Sequence, residues 1–510
     1  MIKFKFLILF LIFNFYSEYI KSQNFKWLKT FGTINELEII KGVSSVSDSE
    51  IVCFFEASQG QILQSDTLQF DSIKFQLNPN SQNFNYIVKL NKNGKVTNAK
   101  SIGNIMVNST CSDEYGNFYI GGTIKNNGSI VDTFQLKKSK GKAIVVKFDK
   151  YFNVKWITQL GNDSSSSISK LVYSQKHLYF VGFSKDSTII DTSKYNFGKF
   201  GSSFFGELNE SNGNFLWSNY LIINKSLNCL IILDLVSLKN KLFFVGENYR
   251  YSNGTKIKSD TFYSGSGFVI KADSFGNYEK RILLKSKSTV INCISTDGNL
   301  LYIGGKFIDT LLINSNKISP EYNKGSDAYE LFTASISSSL NSRWFFRPLI
   351  IEKSVKNTHV NNILKISCSN GYTYFGGQFT SKILIDSNLM IAKNGDLLLL
   401  KFDSIGNILW AANGNSLNFS GIRGLDAIAV NSVFVTGYFN DTITFGKFKK
   451  SSKGGMDGFI TKITDYSITR GKVSPGPYCA GDTILIPYSK FGDFDSANTF
   501  YAQLSDENGN

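Results

Sequence analysis

The chain has 510 residues, of which 42% are hydrophobic and 14% aromatic, a composition typical of a globular protein with a large core. The formal charge is +15, but the lysines are spread among acidic residues and never form a run of five or six basic side chains. Nucleic-acid binders concentrate their positive charge on one face or stripe, so we expect no nucleic-acid partner.

The first element in chain order is an export signal. Lys3 and Lys5 precede an apolar run over residues 6–13 that is too short to span a bilayer as a helix. Residues 1–22 are therefore predicted to be a signal peptide that is removed to leave Gln23 at the new N-terminus. We expect the mature protein to be secreted or on the cell surface, with no membrane span.

A short phrase recurs through residues 23–465. Its first half reads aromatic-apolar-x-Gly, and a degenerate copy, VCFFE, occupies residues 52–56. The other six copies contain the repeat glycines Gly122, Gly182, Gly246, Gly305, Gly377 and Gly437. The intervals between these glycines are 60, 64, 59, 72 and 60 residues, which is typical of a repeat fold.

Each repeat is predicted to contain four short strands. In the second repeat they are Val107–Ser112, Phe118–Ile124, Ala143–Phe148 and Val154–Gln159. β-Branched and aromatic residues supply the strands, Gly-Asn supplies turns, and no segment of the mature chain has a helical apolar period. A third-strand motif counts seven repeats independently, at Ile87, Val145, Phe205, Val269, Phe332, Leu399 and Ile460. The pattern predicts an all-β, seven-bladed β-propeller of four-stranded blades.

The tryptophans predict how the ring closes. All five fit the outer strand of a repeat: Trp27, Trp156, Trp217, Trp344 and Trp410. Trp27 has no preceding repeat, and the seventh repeat lacks a Trp strand, so the N-terminal strand is predicted to complete blade seven. We expect the indoles to pack between blades, and the repeat glycines to mark bulges or close backbone approach where adjacent blades crowd.

The composition of the sequence changes after the repeats. Ser474-Pro475-Gly476-Pro477 is the densest proline cluster, and residues 466–477 are predicted to be a linker. Residues 478–510 contain the opening strands of a second β domain, too few for an independent core. We therefore expect the chain to be a truncated or interrupted version of something longer.

These motifs resemble a known family. Asp-Thr-apolar segments at 66–68, 309–311 and 441–443, followed by F-x-x-K-F/L-D-x-x-G-N-x-x-W, resemble the secreted seven-bladed β-propeller repeat proteins of Bacteroidetes-type bacteria. The tail, 478–510, resembles the start of the immunoglobulin-like domain that those proteins often carry. The resemblance implies export, with delivery to the cell surface by type IX secretion where a sorting domain follows, and it supplies no catalytic residues.

Residues suited to catalysis are sparse. The two histidines, His177 and His359, lie in separate repeats, and Gly265-Ser266-Gly267 lacks the context of a nucleophile elbow. Neither a His-based hydrolase nor a zinc site is expected. Five cysteines lie in different repeats and are predicted to be unpaired, small buried hydrophobes: Cys53, Cys111, Cys229, Cys293 and Cys368. The sixth, Cys479, lies outside the repeats.

Carboxylates and turn oxygens are harder to assign. Asp113, Glu114 and Asp186 are placed to line a blade face, as a glycosidase would need, but most such acids form turns. Asn209–Asn214 has alternating oxygen ligands but lacks the bidentate Glu of a calcium loop. A structural turn is favoured, and no metal or cofactor is predicted.

The leading functional hypothesis is a monomeric, non-enzymatic binding or adhesion scaffold that recognises a glycan or an extracellular protein. Binding favours loops on rigid scaffolds, so Tyr249, Tyr251 and Tyr322, in loops near 249–261 and 314–327, are the candidate ligand-binding residues. A carbohydrate-active enzyme, lyase or glycosidase, and a structural spacer for a missing C-terminal domain remain alternatives. An acid cluster at the mouth of the channel would favour the enzyme, whereas a lysine-lined channel would disfavour it.

Overall fold

The computed structural model describes residues 20–470 with internal gaps, together with 483 and 485–491. The gaps are 35, 48, 60–66, 78–82, 104, 126–129, 132–133, 137–141, 162–164, 186, 192, 198–200, 221–228, 250–254, 258–259, 263–264, 320–328, 353–360, 386–387, 393–394 and 429–431. The described residues contain strands and no helix, so the prediction of an all-β protein is confirmed. Consequently no helix in these ranges is long and apolar enough to cross a membrane.

One antiparallel pairing recurs along the described chain, in which four strands pair in the order first, second, third, fourth. We number the sheets one to seven by their first strands: β2 (Glu36–Ser47), β8 (Ile105–Ser112), β14 (Ser167–Ser174), β20 (Cys229–Leu238), β26 (Ser288–Thr296), β33 (Asn362–Ser369) and β39 (Ser420–Ile428). The second strands are β3 (Glu50–Gln59), β9 (Phe118–Ile124), β15 (His177–Ser184), β21 (Lys241–Tyr249), β27 (Leu300–Ile308), β34 (Tyr372–Phe379) and β40 (Ser432–Phe445).

The third and fourth strands follow the same order. The third strands are β6 (Asn83–Asn91), β12 (Ala143–Phe148), β18 (Ser202–Leu208), β24 (Gly267–Ala272), β30 (Glu330–Ser337), β37 (Asp396–Phe402) and β41 (Phe448–Arg470). The fourth strands are β7 (Val96–Ser101), β13 (Val154–Leu160), β19 (Phe215–Tyr220), β25 (Tyr278–Lys285), β31 (Ser342–Phe346), β38 (Ile408–Ser416) and, paired with β41, the N-terminal β1 (Ile20–Phe31). The strands predicted for the second repeat are confirmed, since each lies within two residues of β8, β9, β12 or β13.

Small hairpins lie between the second and third strands of sheets one to six. They are β4 (Thr67–Phe70) with β5 (Ile73–Gln76), β10 (Ile130–Val131) with β11 (Phe134–Gln135), β16 (Ser187–Ile190) with β17 (Ser193–Asn196), β22 (Thr255–Ile257) with β23 (Asp260–Phe262), β28 (Leu311–Ile313) with β29 (Asn316–Ile318), and β35 (Lys382–Ile385) with β36 (Asn388–Ile391). The β28 strand pairs with β25, and β35 pairs with β32 (Leu349–Glu352), the strand that follows sheet five. The hairpin of sheet five therefore pairs with sheet four, and that of sheet six pairs with the strand after sheet five.

The hydrophobic core lies between consecutive sheets. Phe54 of sheet one packs in the same buried cluster as Phe118 of sheet two, and their ring centroids are 5.9 Å apart. Phe434 of sheet seven shares a cluster with Ile51 and Phe55 of sheet one. Each fully buried Phe contributes about 2–3 kcal/mol through loss of its contact with water. Packing of sheet against sheet therefore supplies much of the stability of this part of the chain.

The first strands also contact one another in sequence. β2 contacts β8, β8 contacts β14, and the series continues through β20, β26, β33 and β39. In addition, β39 contacts β2. At the N-terminal strand, the hydroxyl of Thr461 donates a hydrogen bond of 2.7 Å to the carbonyl oxygen of Trp27.

The tryptophans pack between sheets, as predicted, and they explain a second part of the repeat. Four indoles lie against a turn glycine of the next sheet: Trp27 on Gly94, Trp156 on Gly213, Trp217 on Gly276 and Trp344 on Gly406. A Cβ on any of these glycines would lie 2.5–2.8 Å from an indole atom, and all four glycines have positive φ. Glycine is therefore needed both for the turn and for the close approach of the ring.

Contacts divide the chain into two compact units. One spans Phe25–Ile463 and contains the sheets. In the other, β42 (Tyr488–Phe491) pairs with the last four residues of β41. Strand β41 thus continues past 466, where the linker was predicted to begin. Residues 1–19 of the predicted signal, 471–477 of the predicted linker, and most of the predicted immunoglobulin-like segment lie outside the described residues.

Candidate functional site

Each of the seven first strands contains a β-bulge at the same place, opposite the repeat glycine of the second strand or its equivalent in sheet one. The bulged residues are Lys41, Asn108, Ser169, Leu233, Asn292, Leu364 and Arg423. An extra residue in one strand bends it and re-aims the neighbouring side chains. The residue after each bulge therefore belongs to one structurally equivalent set, whatever its chemistry.

The repeat glycines permit this bulge. A Cβ on Gly246 would lie 1.8 Å from the carbonyl oxygen of Ile231, and one on Gly305 would lie 2.0 Å from that of Val290. The predicted close approach is confirmed, but its expected position between adjacent blades is wrong for these glycines, because each lies closest to a strand of its own sheet. Three additional glycines do face side chains of the next sheet: Gly121, Gly304 and Gly376.

Side chains near the bulges bond to the first strand of the following sheet. Four of them accept a backbone N–H: Ser109 from Leu171 (2.9 Å), Asp234 from Ile294 (3.1 Å), Ser367 from Ala427 (3.0 Å) and Asp426 from Ser45 (2.6 Å). A buried backbone donor without a partner is costly, so these bonds stabilise the junctions between sheets. Asp234 and Asp426 consequently have structural roles.

Four charged residues at the bulges form what we call the bulge cluster: Lys170, Asp234, Lys365 and Arg423. The Lys170 Nζ lies 2.7 Å from Asp234 Oδ1, with 29% and 8% of the two side chains exposed. Burial acts to lower the pKa of Lys170, but the ion pair with Asp234 outweighs it and the pKa is raised. The same Asp234 oxygen accepts the N–H of Leu235 at 2.7 Å.

The other two cations of the bulge cluster lack such a partner. Among the described residues, neither Lys365 nor Arg423 has a carboxylate within ion-pair distance. Burial lowers the pKa of Lys365, the charge of Lys170 lowers it further, and the more weakly acting Asp234 does not restore it. The Arg423 guanidinium lies 5.1 Å from the centroid of the Tyr438 ring. The charge of Arg423 also acts to lower the pKa of Lys365, so three cations accompany one carboxylate.

A second set of side chains lies at the base of the two long loops of sheets four and five. We call Glu247, Lys306 and Tyr329 the loop-base group. The Lys306 Nζ lies 4.2 Å from the centroid of the Tyr329 ring, whose hydroxyl is 3.2 Å from the hydroxyl of Ser288. Burial raises the pKa of Glu247 and lowers that of Lys306, while the charge of each partner opposes the shift of the other.

The predicted tyrosines flank this group in the chain. Tyr249 is the last residue of β21, two positions after Glu247, and its backbone pairs with that of Cys229. Tyr251 and Tyr322 lie outside the described residues, as does the side chain of Tyr249. Sequence reasoning missed Lys306 and Tyr329. Lys306 directly follows a repeat glycine, and that spacing is the signal that would have found it.

The acids and amides that are candidates for catalysis or metal binding accept hydrogen bonds within the predicted turns. Asp113 accepts the N–H groups of Tyr115 and Asn117 and the hydroxyl of Tyr119. Asn209 Oδ1 accepts the N–H of Ser211 at 3.0 Å. No group of three or more His, Cys, Asp or Glu in the described ranges is arranged to hold a metal ion, and Asp186 lies outside them.

His177 contacts a carboxylate that also bonds one of the packed tryptophans. Its Nδ1 lies 2.6 Å from Glu207 Oε1, and the other oxygen of that carboxylate accepts the Trp217 Nε1–H at 2.8 Å. Ser266 is buried just before β24 in another sheet, and His359 lies outside the described residues. The Glu207 carboxylate therefore links His177 to Trp217 and orients the indole.

The four cysteines whose side chains are described form no disulfide: Cys53, Cys111, Cys293 and Cys368. Cys53 and Cys293 are buried, and burial raises the pKa of the Cys111 and Cys368 thiols to about 12. The prediction of unpaired cysteines is confirmed for these four, and burial for the first two named. The side chain of Cys229 and all of Cys479 lie outside the description.

Comparisons with known proteins give distant likenesses. No family description and no curated protein matches the chain. A phage phi92 endosialidase is 11% identical, with a TM-score of 0.38, over 94% of this chain and 77% of the other. The plexin A4 extracellular region is 8% identical, with a TM-score of 0.36, over 71% and 46%. An extracellular domain of a one-component system of B. thetaiotaomicron is 12% identical, with a TM-score of 0.15, over 83% and 70%. At these TM-scores the likenesses support no conclusion about the fold or function of this chain.

Proposed function

We propose that the seven sheets are the blades of a seven-bladed β-propeller that β1 closes. The pairing of β1 with β41 and the contact of β39 with β2 support this arrangement. Trp27 also lies on Gly94 as Trp156 lies on Gly213, so β1 holds the position of a fourth strand before sheet one. Such a ring closes by packing sheet against sheet, and it needs no single hydrogen-bonded sheet that closes on itself.

We propose that this propeller is an exported, non-enzymatic binding or adhesion scaffold for a glycan or an extracellular protein. The observation that carries the proposal is the loop-base group, where Lys306 packs on Tyr329 between the ends of the two long loops. A ring with an adjacent cation offers both a stacking face and hydrogen-bond donors to a ligand. Loops on a rigid scaffold are a common place for recognition.

The surroundings of the acids support binding over acid–base catalysis. Asp113 accepts several hydrogen bonds within its turn, Asp234 is bound by Lys170 and two backbone donors, and Glu207 is shared by His177 and Trp217. A glycosidase needs a carboxyl pair available to its substrate. The cationic majority in the bulge cluster likewise fits a binding scaffold better than a glycosidase.

The test is a binding screen of the purified mature chain against a glycan array and immobilised extracellular proteins. We expect Tyr329→Ala to weaken the binding of any hit about tenfold or more, because aromatic residues at the centre of a contact dominate its energy. Tyr151→Ala is the matched control, since Tyr151 is 68% exposed and lies in a turn of sheet two. Equal binding by the Tyr329 variant and the wild-type protein would exclude the loop-base group as the site.

The predicted tyrosines are tested in the same assay. The triple substitution of Tyr249, Tyr251 and Tyr322 by Ala is expected to leave the circular dichroism spectrum unchanged and to lower binding. New reducing ends or unsaturated sugars in a polysaccharide digest would instead favour the enzyme hypothesis. A folded protein with no hits would favour the spacer.

A further inference from the structure

We propose that the bulge cluster binds an oxyanion, namely a carboxylate, sulfate or phosphate group of a small ligand, between Lys170, Lys365 and Arg423. The site is separate from the loop-base group and does not depend on the function proposed above. Its side chains come from four of the first strands, β14, β20, β33 and β39. These strands belong to sheets three, four, six and seven, so the cluster exists only in the folded protein.

The charges around the cluster do not cancel. Asp234 is the one carboxylate within it, and both of its oxygens already accept hydrogen bonds from Lys170 or backbone N–H groups. Cys293 follows the bulge in sheet five, and burial raises the pKa of its thiol, so it carries no negative charge at neutral pH. With all three basic side chains protonated, the cluster alone therefore has a net charge of two positive units.

Nearby acids are occupied elsewhere. Asp426 accepts two hydrogen bonds from Ser45, and burial raises its pKa. Glu56 lies 3.4 Å from Lys41 and 3.5 Å from Lys125, so it offsets those cations and not the bulge cluster. Placing like charges together in partly buried positions is unfavourable unless a counter-charge is bound.

The chemistry of the donors matches an oxyanion. A guanidinium presents a planar fork that bonds two oxygens at once, and lysine ammonium groups add point charges from other directions. The ion pair with Asp234 fixes the Lys170 amine in position before a ligand arrives. The Lys365 ammonium keeps its N–H donors available, since its side chain makes no hydrogen bond to any described residue.

The test is thermal unfolding of the mature chain in sodium phosphate, sulfate, acetate or glucuronate, each compared with chloride at equal ionic strength. We expect at least one oxyanion to raise Tm above the chloride value, and calorimetry to measure its Kd. The pattern among the anions distinguishes a phosphate or sulfate ligand from a carboxylate ligand. No shift beyond that of chloride with every oxyanion would overturn the proposal.

Lys365→Met removes one charge and keeps a similar side-chain volume. We expect it to raise Tm in chloride, because it removes repulsion among cations, and to weaken binding of the active anion about tenfold or more. Lys449→Met is the matched control, since Lys449 is exposed on β41. If Lys365→Met does not fold, Arg423→Met serves the same purpose. An anion that stabilises a folded cluster variant as much as the wild-type protein would show that it binds elsewhere.

Discussion

The feature that recurs from sheet to sheet differs between the fourth strands and the first strands. At the fourth strands the same side chain recurs, and its partner recurs with it, since Trp156 lies on Gly213 as Trp344 lies on Gly406. At the first strands the same backbone bulge recurs, but the residue after it changes from Lys170 to Asp234 to Cys293. Shape is repeated where sheet packs on sheet. Chemistry varies at the position after the bulge, from a charged side chain to the buried thiol of Cys293.

The largest expected effect comes from blocking a bulge. Gly246→Ala would place a Cβ 1.8 Å from the Ile231 carbonyl oxygen, so the backbone of sheet four must shift. We expect a loss of about 3 kcal/mol or more in the free energy of unfolding, measured by urea denaturation. Gly298→Asn is the control, because a Cβ at Gly298 meets nothing within 4 Å and Asn tolerates its positive φ. Wild-type stability of Gly246→Ala would mean that the glycine is not needed for the bulge.

The next largest effect tests whether Trp27 belongs to the set of fourth-strand tryptophans. We expect Trp27→Ala and Trp156→Ala each to cost about 3 kcal/mol, because each indole packs on a turn glycine of the next sheet. Urea denaturation of both variants measures the two costs side by side. A cost below about 1 kcal/mol for Trp27→Ala alone would contradict closure by β1.

A pH effect is expected beside β1. Burial raises the pKa of Asp457 to about 6 from an ordinary 3.8, although N–H donors at Lys453 and Gly454 oppose the shift. Between these two values the folded protein holds a proton that the unfolded chain has released, so stability falls as the pH rises from about 4 to 6. The fall is about 2–3 kcal/mol and remains above pH 6. Thermal unfolding of Asp457→Asn should lack this fall, and an unchanged profile would exclude Asp457 as its source.

The smallest expected effect concerns the variable chemistry of the bulges. Asp234→Asn removes the counter-charge of Lys170, and we expect a loss of about 1–2 kcal/mol because Lys170 remains partly exposed. The double variant Asp234→Leu, Lys170→Met should recover part of that loss in urea denaturation. If the double variant is less stable than Asp234→Asn, the ion pair contributes more than its own charges, through the backbone bonds of Asp234.

Strands and their order were predictable because their signals are local. The run Ala143–Phe148 has β-branched residues at 144–146 and an aromatic residue at its end, and Asp149 and Asn153 bound the turn that follows, so the strand and its end were visible in the sequence. The contact of Trp156 with Gly213 was not predictable, since it joins residues of different repeats. The tryptophan and the turn glycine are each visible as a repeated motif, but the contact between them forms only in the tertiary structure.

The bulge cluster left a weaker signal. Lys170, Asp234 and Lys365 each stand 12 residues before a repeat glycine, whereas Arg423 stands 14 before Gly437. This spacing places the first three at equivalent positions after a bulge, whereas Arg423 is itself the bulged residue, and a bulge is a backbone irregularity that residue types alone do not specify. The sequence therefore predicted a set of equivalent positions without the direction of their side chains.

The backbone N–H groups of neighbouring first strands donate hydrogen bonds to Ser109, Asp234, Ser367 and Asp426, and these bonds have one more consequence. A strand at the edge of a β-sheet has unpaired backbone groups on which a strand of another molecule can add. At these four junctions the backbone donors are already engaged by side chains of the same chain. The residues that join sheet to sheet thereby also leave fewer free backbone donors along the first-strand edges of the following sheets.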